Sequence, residues 1–350
     1  MRAGRSSASA FVTAVKISTY RVARCAWRAP CSGTLRASFR SPLPDDARPS
    51  RPRKYRHPVN AQRIAIVGSA DNETNPDLVG RWRELGLDVA LLSPHDALLQ
   101  LRAGDVAIGR VDVRRSFVDV EPGLLELWDL GRRGVRVVND AKALLNAHDK
   151  LRTTTLLAAA GLEQPRSEHV RLGGRPSLPP PLVVKPRFGS WGIDVFRCDD
   201  DADVRRVFAE ISGRPWFRRH GALVQELLPP CGYDVRILVA AGEVVGANER
   251  VAAPGEWRTN ISLGGSERPA ASNSLAFSLA TAAVAAVGGE LFGVDLMPVE
   301  TGYVALEINA AVDFDQDYSI GGDVYADAAG ALGLLELAAR ARATATSFHP

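Results

Sequence analysis

Two short alternating runs, FGVDLMPV and YVALEIN, flank Glu300-Thr301-Gly302 between residues 292 and 309. Period-2 alternation on both sides of a glycine-bearing turn admits little other than an antiparallel hairpin. Alternate side chains of a strand share a face. One face then carries Val294, Leu296, Val304, Leu306 and Ile308; the other carries Asp295, Met297, Ala305, Glu307 and Asn309. Pairing centred on Thr301 sets Asp295 opposite Glu307, where two carboxylates repel unless a cation lies between them. Asn309 adds a neutral oxygen on the same face. An anionic, all-oxygen set without His or Cys suits Mg²⁺ or Mn²⁺ better than zinc. A half-solvated hairpin alternates in the same way, so on this hairpin alone metal and solvent are equally good readings.

Upstream, strands alternate with helices. Short apolar runs predict strands at 64–68, 89–92, 107–109 and 135–138, and amphipathic stretches predict helices at 77–85 and 124–132, closed by Gly86 and Gly134. That alternation implies a parallel sheet covered by helices. The turn Gly68-Ser69-Ala70-Asp71 is not G-x-G-x-x-G, which leaves a dinucleotide site with little support.

Residues 1–44 contain no Asp or Glu but eight basic side chains, while the whole chain carries a net charge of only +3. The remainder is therefore close to neutral, and a general nucleic-acid surface is not indicated. The Arg-, Ser- and Pro-rich stretch 1–60 cannot build a core and is expected to be disordered. It reads as a transit-like leader, a basic tail or a segment ahead of a later start, with a dispensable segment the expectation. The four cysteines form no C-x-x-C pair, so reduced thiols in a cytoplasm are expected. No apolar run is long enough to span a bilayer.

Asp149 is a plausible N-cap for a helix running through Ala160, with Lys150 in its first turn, where the helix dipole disfavours a cation. The apolar run 181–186 is a strand bearing Lys185. It leads into Arg187-Phe188-Gly189-Ser190-Trp191-Gly192 and a second strand at 193–196. Glycine-rich loop amides beside a strand lysine can fold over phosphates, although this is not the P-loop pattern. Further strands are expected at 223–228, 234–239 and 244–247; Asp234 and Arg236 share one face, where their opposite charges can pair. Arg258-Thr259-Asn260 follows a loop at 253–256.

Together, HDKLRT (148–153), VVKPRFGSWGIDV (183–195), VQE (224–226), YDVRILV (233–239), NER (248–250), RTN (258–260), GVD (293–295) and EINA (307–310) resemble the ATP-grasp superfamily, and within it the RimK-type glutamate and amino-acid ligases. The resemblance runs from about residue 139 to 330. It implies a fold of α/β and α+β type: a small N-terminal parallel-sheet α/β domain at 61–140, then a two-lobed ATP-grasp domain at 141–220 and 221–340.

The resemblance further implies that Lys150 and Lys185 contact ATP phosphates beneath a lid containing Gly189, Ser190 and Gly192. Adenine would meet the backbone at Glu226 and Leu227, with Asp234 near the ribose. Arg258, Thr259 and Asn260 would border the phosphates or an acyl phosphate, with Arg250 nearby, and Arg258 and Arg250 would be the catalytic cations. Asp295, Glu307 and Asn309 would hold the metal, as two Mg²⁺ or Mn²⁺ ions. The implied activity joins an activated carboxylate, on a small molecule or carrier protein, to an amino acid such as glutamate; a retained but inactive ATP-binding regulatory or scaffold protein is the alternative. A homo-oligomer is compatible with either. Ala310-Ala311-Val312-Asp313-Phe314 replaces the Ser-Pro-Gly turn of many relatives. With Gly189-Ser190-Trp191-Gly192, it is similar to the branch acting on carrier proteins or pterin-type cofactors.

Overall fold

Apolar runs bounded by glycine build the first layer. The computed structural model describes residues 62–346; the basic stretch 1–60, with its expected disorder, and Cys25 and Cys31 lie outside the described residues. Strands β1 (Ile64–Gly68), β2 (Val89–Leu92), β3 (Val106–Arg110) and β4 (Arg136–Val138) form a parallel sheet in the order β2-β1-β3-β4. Every residue of β1 and β3 is buried, as expected of central parallel strands covered on both faces. Helices α1 (Thr74–Glu84), α2 (Pro94–Gln100) and α3 (Leu124–Arg132) supply that cover.

Next come α4 (Ala141–His148) and α5 (Lys150–Ala159). Asp149 accepts from the Leu151 amide and so caps α5 as its sequence suggests. An antiparallel sheet follows, ordered β5-β8-β6-β7, from β5 (Ser167–Val170), β6 (Leu182–Pro186), β7 (Phe196–Cys198) and β8 (Ala222–Glu226). Leu182, Val184, Ala222 and Val224 of this sheet pack on Val207 and Ile211 of α6 (Asp201–Ile211) and on Trp216 and Phe217 of α7 (Pro215–His220).

A five-stranded antiparallel sheet completes the fold. Its order is β11-β10-β9-β12-β13, from β9 (Tyr233–Ala240), β10 (Glu243–Val251), β11 (Ser266–Pro269), β12 (Leu291–Val299) and β13 (Gly302–Asn309). Val235, Ile237 and Val239 face the alanine-rich helix α8 (Ser274–Val287); Leu238 and Ala240 face α9 (Val324–Ala331), which leads to α10 (Leu334–Thr346).

The described residues belong to one compact unit, and specific polar ties join its sheets. Trp82 Nε1 donates to the Tyr325 carbonyl at 3.0 Å, and Arg136 to that of Leu332 at 2.7 Å. Asn139 adopts a positive φ of 57° just beyond β4. Its side chain donates to the Leu291 carbonyl and accepts from the Glu290 and Leu291 amides, which fixes the start of β12. Among the described residues no helix is long and apolar enough to cross a membrane.

Two expectations change. The strand expected at 193–196 is instead β7 at 196–198, because residues 191–194 form tight turns in which Trp191 and Asp194 take φ of 58° and 54°. The hairpin of β12 and β13 does set Asp295 opposite Glu307, but a bulge follows and Leu296 pairs with Ala305. One extra residue on a bulged strand exchanges faces beyond it. Ala305 therefore joins the core with Val294 and Leu296, and Leu306 lines the cavity, the reverse of the simple alternation.

Candidate active site

The three sheets enclose one cavity of about 720 Å³. Every residue singled out from the sequence lines it: Lys150, Lys185, Gly189, Ser190, Gly192, Glu226, Leu227, Asp234, Arg250, Arg258, Thr259, Asn260, Asp295, Glu307 and Asn309.

The lysines arrive from two directions. Lys150 opens α5 and is buried, its Nζ 2.7 Å from Glu307 Oε1 and donating also to the Gly189 carbonyl. The helix dipole cost of a first-turn lysine is offset by that carboxylate. Lys185 reaches in from β6, where burial, only partly opposed by Glu307, pushes its ammonium down to about 8. His148, just before Lys150, is buried with Nε2 2.8 Å from the Val111 carbonyl, and burial pushes it down to about 4.

Cross-strand register sets the acidic side. Arg236 on β9 lies opposite Asp295 and binds it in bidentate fashion, Nε–Oδ1 2.8 Å and Nη2–Oδ2 3.0 Å. Arg250 on β10 bonds Asp295 Oδ2 at 2.8 Å and, through Nε, Asp234 Oδ1 at 2.8 Å; Thr259 Oγ1 donates to Asp234 Oδ2 at 2.6 Å. Burial alone would raise the Asp295 carboxyl, but the two guanidiniums hold it well below the usual carboxylate range. Asp234 thus pairs with Arg250 rather than with its strand neighbour Arg236.

The glycine loop borders the cavity and is tied to the segment 258–262. Arg258 is gripped by both oxygens of Glu256, at 3.0 and 2.8 Å, and its Nη1 donates to the Gly192 carbonyl at 2.9 Å. Hydrogen bonds from Arg258 pull the Glu256 carboxyl down to about 2. Ser262 Oγ donates to the Trp191 carbonyl at 2.8 Å, and the Arg115 guanidinium lies 5.0 Å from the centre of the Trp191 ring. Gly192 has φ of 68°, and a Cβ there would stand 2.6 Å from Asn260 Oδ1. At the far end, the Glu226 amide donates to Arg166 and the Leu227 amide to Pro181, both at 2.9 Å. Both amides are thus engaged within the protein, and the Glu226 carboxylate is held by Arg166.

Protein cations relieve the facing carboxylates, Asp295 through two arginines and Glu307 through Lys150. Among the described residues no group of three His, Cys, Asp or Glu is placed to hold a metal. The set still fits a hard cation in its chemistry: two carboxylates and an asparagine that can offer its side-chain oxygen line one cavity. Asp295 has both oxygens bonded to arginine, so Glu307 and Asn309 are the more available donors.

Sequence reasoning did not single out Arg110, Asp112, Asp313 or Arg236 as site residues, although all four line the cavity. Arg236 carried a signal, its shared face with Asp234, and Asp313 lies in the turn that departs from relatives; Arg110 and Asp112 are brought in by tertiary packing.

Residues 147–330 match the RimK-like ATP-grasp domain. A probable alpha-L-glutamate ligase of Serratia proteamaculans (strain 568) is 31% identical over 224 residues, 61% of this chain and 70% of the relative. One from Xanthomonas oryzae pv. oryzae (strain MAFF 311018) is 32% identical over 198 residues, 54% of this chain and 65% of the relative. The chain spans 59% of the probable alpha-L-glutamate ligase 1 of Pseudoalteromonas atlantica. Among solved structures, a RimK domain protein ATP-grasp from Sphaerobacter thermophilus DSM 20745 matches with a TM-score of 0.56 at 18% identity, over 77% of this chain and 99% of that one. The D-alanine–D-alanine ligase from Bacillus anthracis complexed with ATP matches with a TM-score of 0.57 at 16% identity, over 81% and 99%. At these identities the structural matches establish the fold.

Proposed function

This chain belongs to the RimK-like ATP-grasp family of ATP-dependent carboxylate–amine ligases, and from that premise we propose that it activates a carboxylate as an acyl phosphate and joins it to an amino acid, glutamate in the first instance. The observation that carries this reading is the convergence of Lys150, Lys185, Arg258 and the 189–192 loop on the cavity that also holds Asp295, Glu307 and Asn309. Residues 61–140 are read as the N-terminal domain, with 141–220 and 221–340 as the two lobes around ATP.

Two anions, the substrate carboxylate and the γ-phosphate, must meet in this reaction. Lys150, Lys185 and Arg258 supply the fixed positive charge that lowers their repulsion and stabilises the transferring phosphoryl group. Glu307 and Asn309, with Asp295, would hold Mg²⁺ or Mn²⁺, which adds further charge neutralisation at the phosphates. The carboxylate oxygen attacks the γ-phosphorus and ADP leaves. The amine then attacks the acyl carbon, phosphate leaves and the nitrogen loses a proton. No enzyme nucleophile is needed. Arg258, through Gly192, holds the loop across the cavity and keeps water from the acyl phosphate. The carboxylate would be carried by a small molecule or a carrier protein.

Mass spectrometry of products after incubation with ATP, Mg²⁺, pooled amino acids and cell extract tests this. The expected result is an amide product formed with stoichiometric ADP and phosphate. ADP release that never depends on an amine and yields no amide would overturn it.

A further inference from the structure

The parallel-sheet side of the cavity carries polar groups that the phosphate chemistry does not use. Ligands bind outside the carboxyl ends of strands in open α/β sheets, and Arg110 is the last residue of β3. Its side chain is 1% exposed, donating from Nε to Asn75 Oδ1 at 2.5 Å and from Nη2 to the Val312 carbonyl at 2.8 Å. Nη1 is buried and has no partner. Beside it, Asn72 donates through Nδ2 to Asp313 Oδ1 at 2.9 Å, while its own Oδ1 is buried without a partner. Thr74 Oγ1 also bonds Asp313, at 3.1 Å, and Asp112 Oδ1 accepts from the Val113 amide at 2.6 Å. Arg110, Asn72, Thr74, Asp112 and Asp313 all line the cavity.

Buried polar groups are normally satisfied, so an orphan guanidinium donor and an orphan amide acceptor in one wall point to a missing ligand. A simple anion there would face Asp112 and Asp313. A simple cation would face Arg110. A molecule bearing both charges satisfies both. We propose that this wall is a subsite for a zwitterionic α-amino acid, its α-carboxylate taken by Arg110 and its α-ammonium by Asp112, Asp313 and the Asn72 side-chain oxygen. The proposal rests on the ligase reading above and specifies where the amine-bearing substrate docks.

The test is calorimetric titration of the full chain, loaded with Mg²⁺ and a non-hydrolysable ATP analogue. The probes are L-glutamate and L-alanine, each against its α-carboxamide. The wild type is expected to bind at least one free amino acid about tenfold or more tightly than the matching amide, since the charge-assisted contact to Arg110 Nη1 is lost in the amide. Arg110→Gln should erase that discrimination while nucleotide affinity stays within about twofold. Arg110 also supports Asn75 and Val312, so Asp112→Asn provides a second variant, expected to weaken the free amino acid about tenfold. Equal affinity for acid and amide in the wild type, or no amino-acid binding to the nucleotide-loaded chain, overturns the subsite. An amide product that still forms under the conditions of the preceding section would then leave the ligase reading standing, whereas its absence would remove that reading separately.

Discussion

Arg236 grips both oxygens of Asp295 across two neighbouring strands, at 2.8 and 3.0 Å, and Arg250, one strand further away on β10, adds a third contact at 2.8 Å. The carboxylate is thus a structural anchor for two buried cations as well as a member of the oxygen set.

Removing Asp295 should cost stability before it costs chemistry. Asp295→Ala leaves two buried guanidiniums short of a counter-charge, and breaking such a pair costs about 3–5 kcal/mol. Urea denaturation should show that loss at pH 7. The folded-state carboxyl is depressed, so its contribution is present above the unfolded value near 3.9 and is lost as pH falls through the folded value. The wild-type and Asp295→Ala stability curves should therefore run parallel above about pH 5 and converge only in stronger acid.

Glu307 offers a cleaner test of the oxygen set, being half-buried and ion-paired with Lys150 rather than clamped by two arginines. Glu307→Ala should keep the fold and lower kcat by about 10²–10³, the scale of losing one preorganised electrostatic contact. Steady-state ADP release with a matched melting curve checks it; unchanged turnover would remove Glu307 from the metal set.

Lys185 should impose an alkaline limit on nucleotide binding. Burial lowers it to about 8, so the free enzyme loses this charge as pH rises through that value. ATP affinity should fall above about pH 8, and Lys185→Met should both weaken binding and flatten that limb. Stability moves the other way. The folded state binds fewer protons than the unfolded between about 8 and the ordinary lysine value near 10.4, so this group stabilises the fold as pH rises across that window. Fluorescence titration with an ATP analogue from pH 6.5 to 9.5 reads the binding effect.

Gly192→Ala should disturb the lid. The new methyl would meet Asn260 Oδ1 at 2.6 Å in a conformation alanine disfavours, and costs of about 1–2 kcal/mol are usual for that backbone region. Faster proteolysis of the 187–195 loop is expected, with a raised ratio of ATP hydrolysed to amide formed.

Much of the site was legible because its motifs are local. HDKLRT and the loop at 189–192 are contiguous motifs that carry the family resemblance, and the opposition of Asp295 and Glu307 follows from strand alternation. The faces of Ala305 and Leu306 were not, since a single bulged residue carries no mark in a run that is apolar throughout. Trp191 and Asp194 take left-handed backbone angles without being glycine, which hid the turn before β7. Helix α8 went unread because it is apolar nearly all round and shows little helical period. The partners of Asp234 and Asp295 depended on which strands become neighbours, and Arg110 depended on residues 35 and 202 positions away along the chain.

Asn139 has a mechanical consequence. By clasping both the amide and the carbonyl of Leu291, it rivets the strand that bears Asp295 to the parallel sheet that bears Arg110. On the proposed function, those two walls would stay in register as one side of the nucleotide site, and substitutions in the sheet carrying Lys185 and its glycine loop would alter nucleotide entry without displacing the carboxylates.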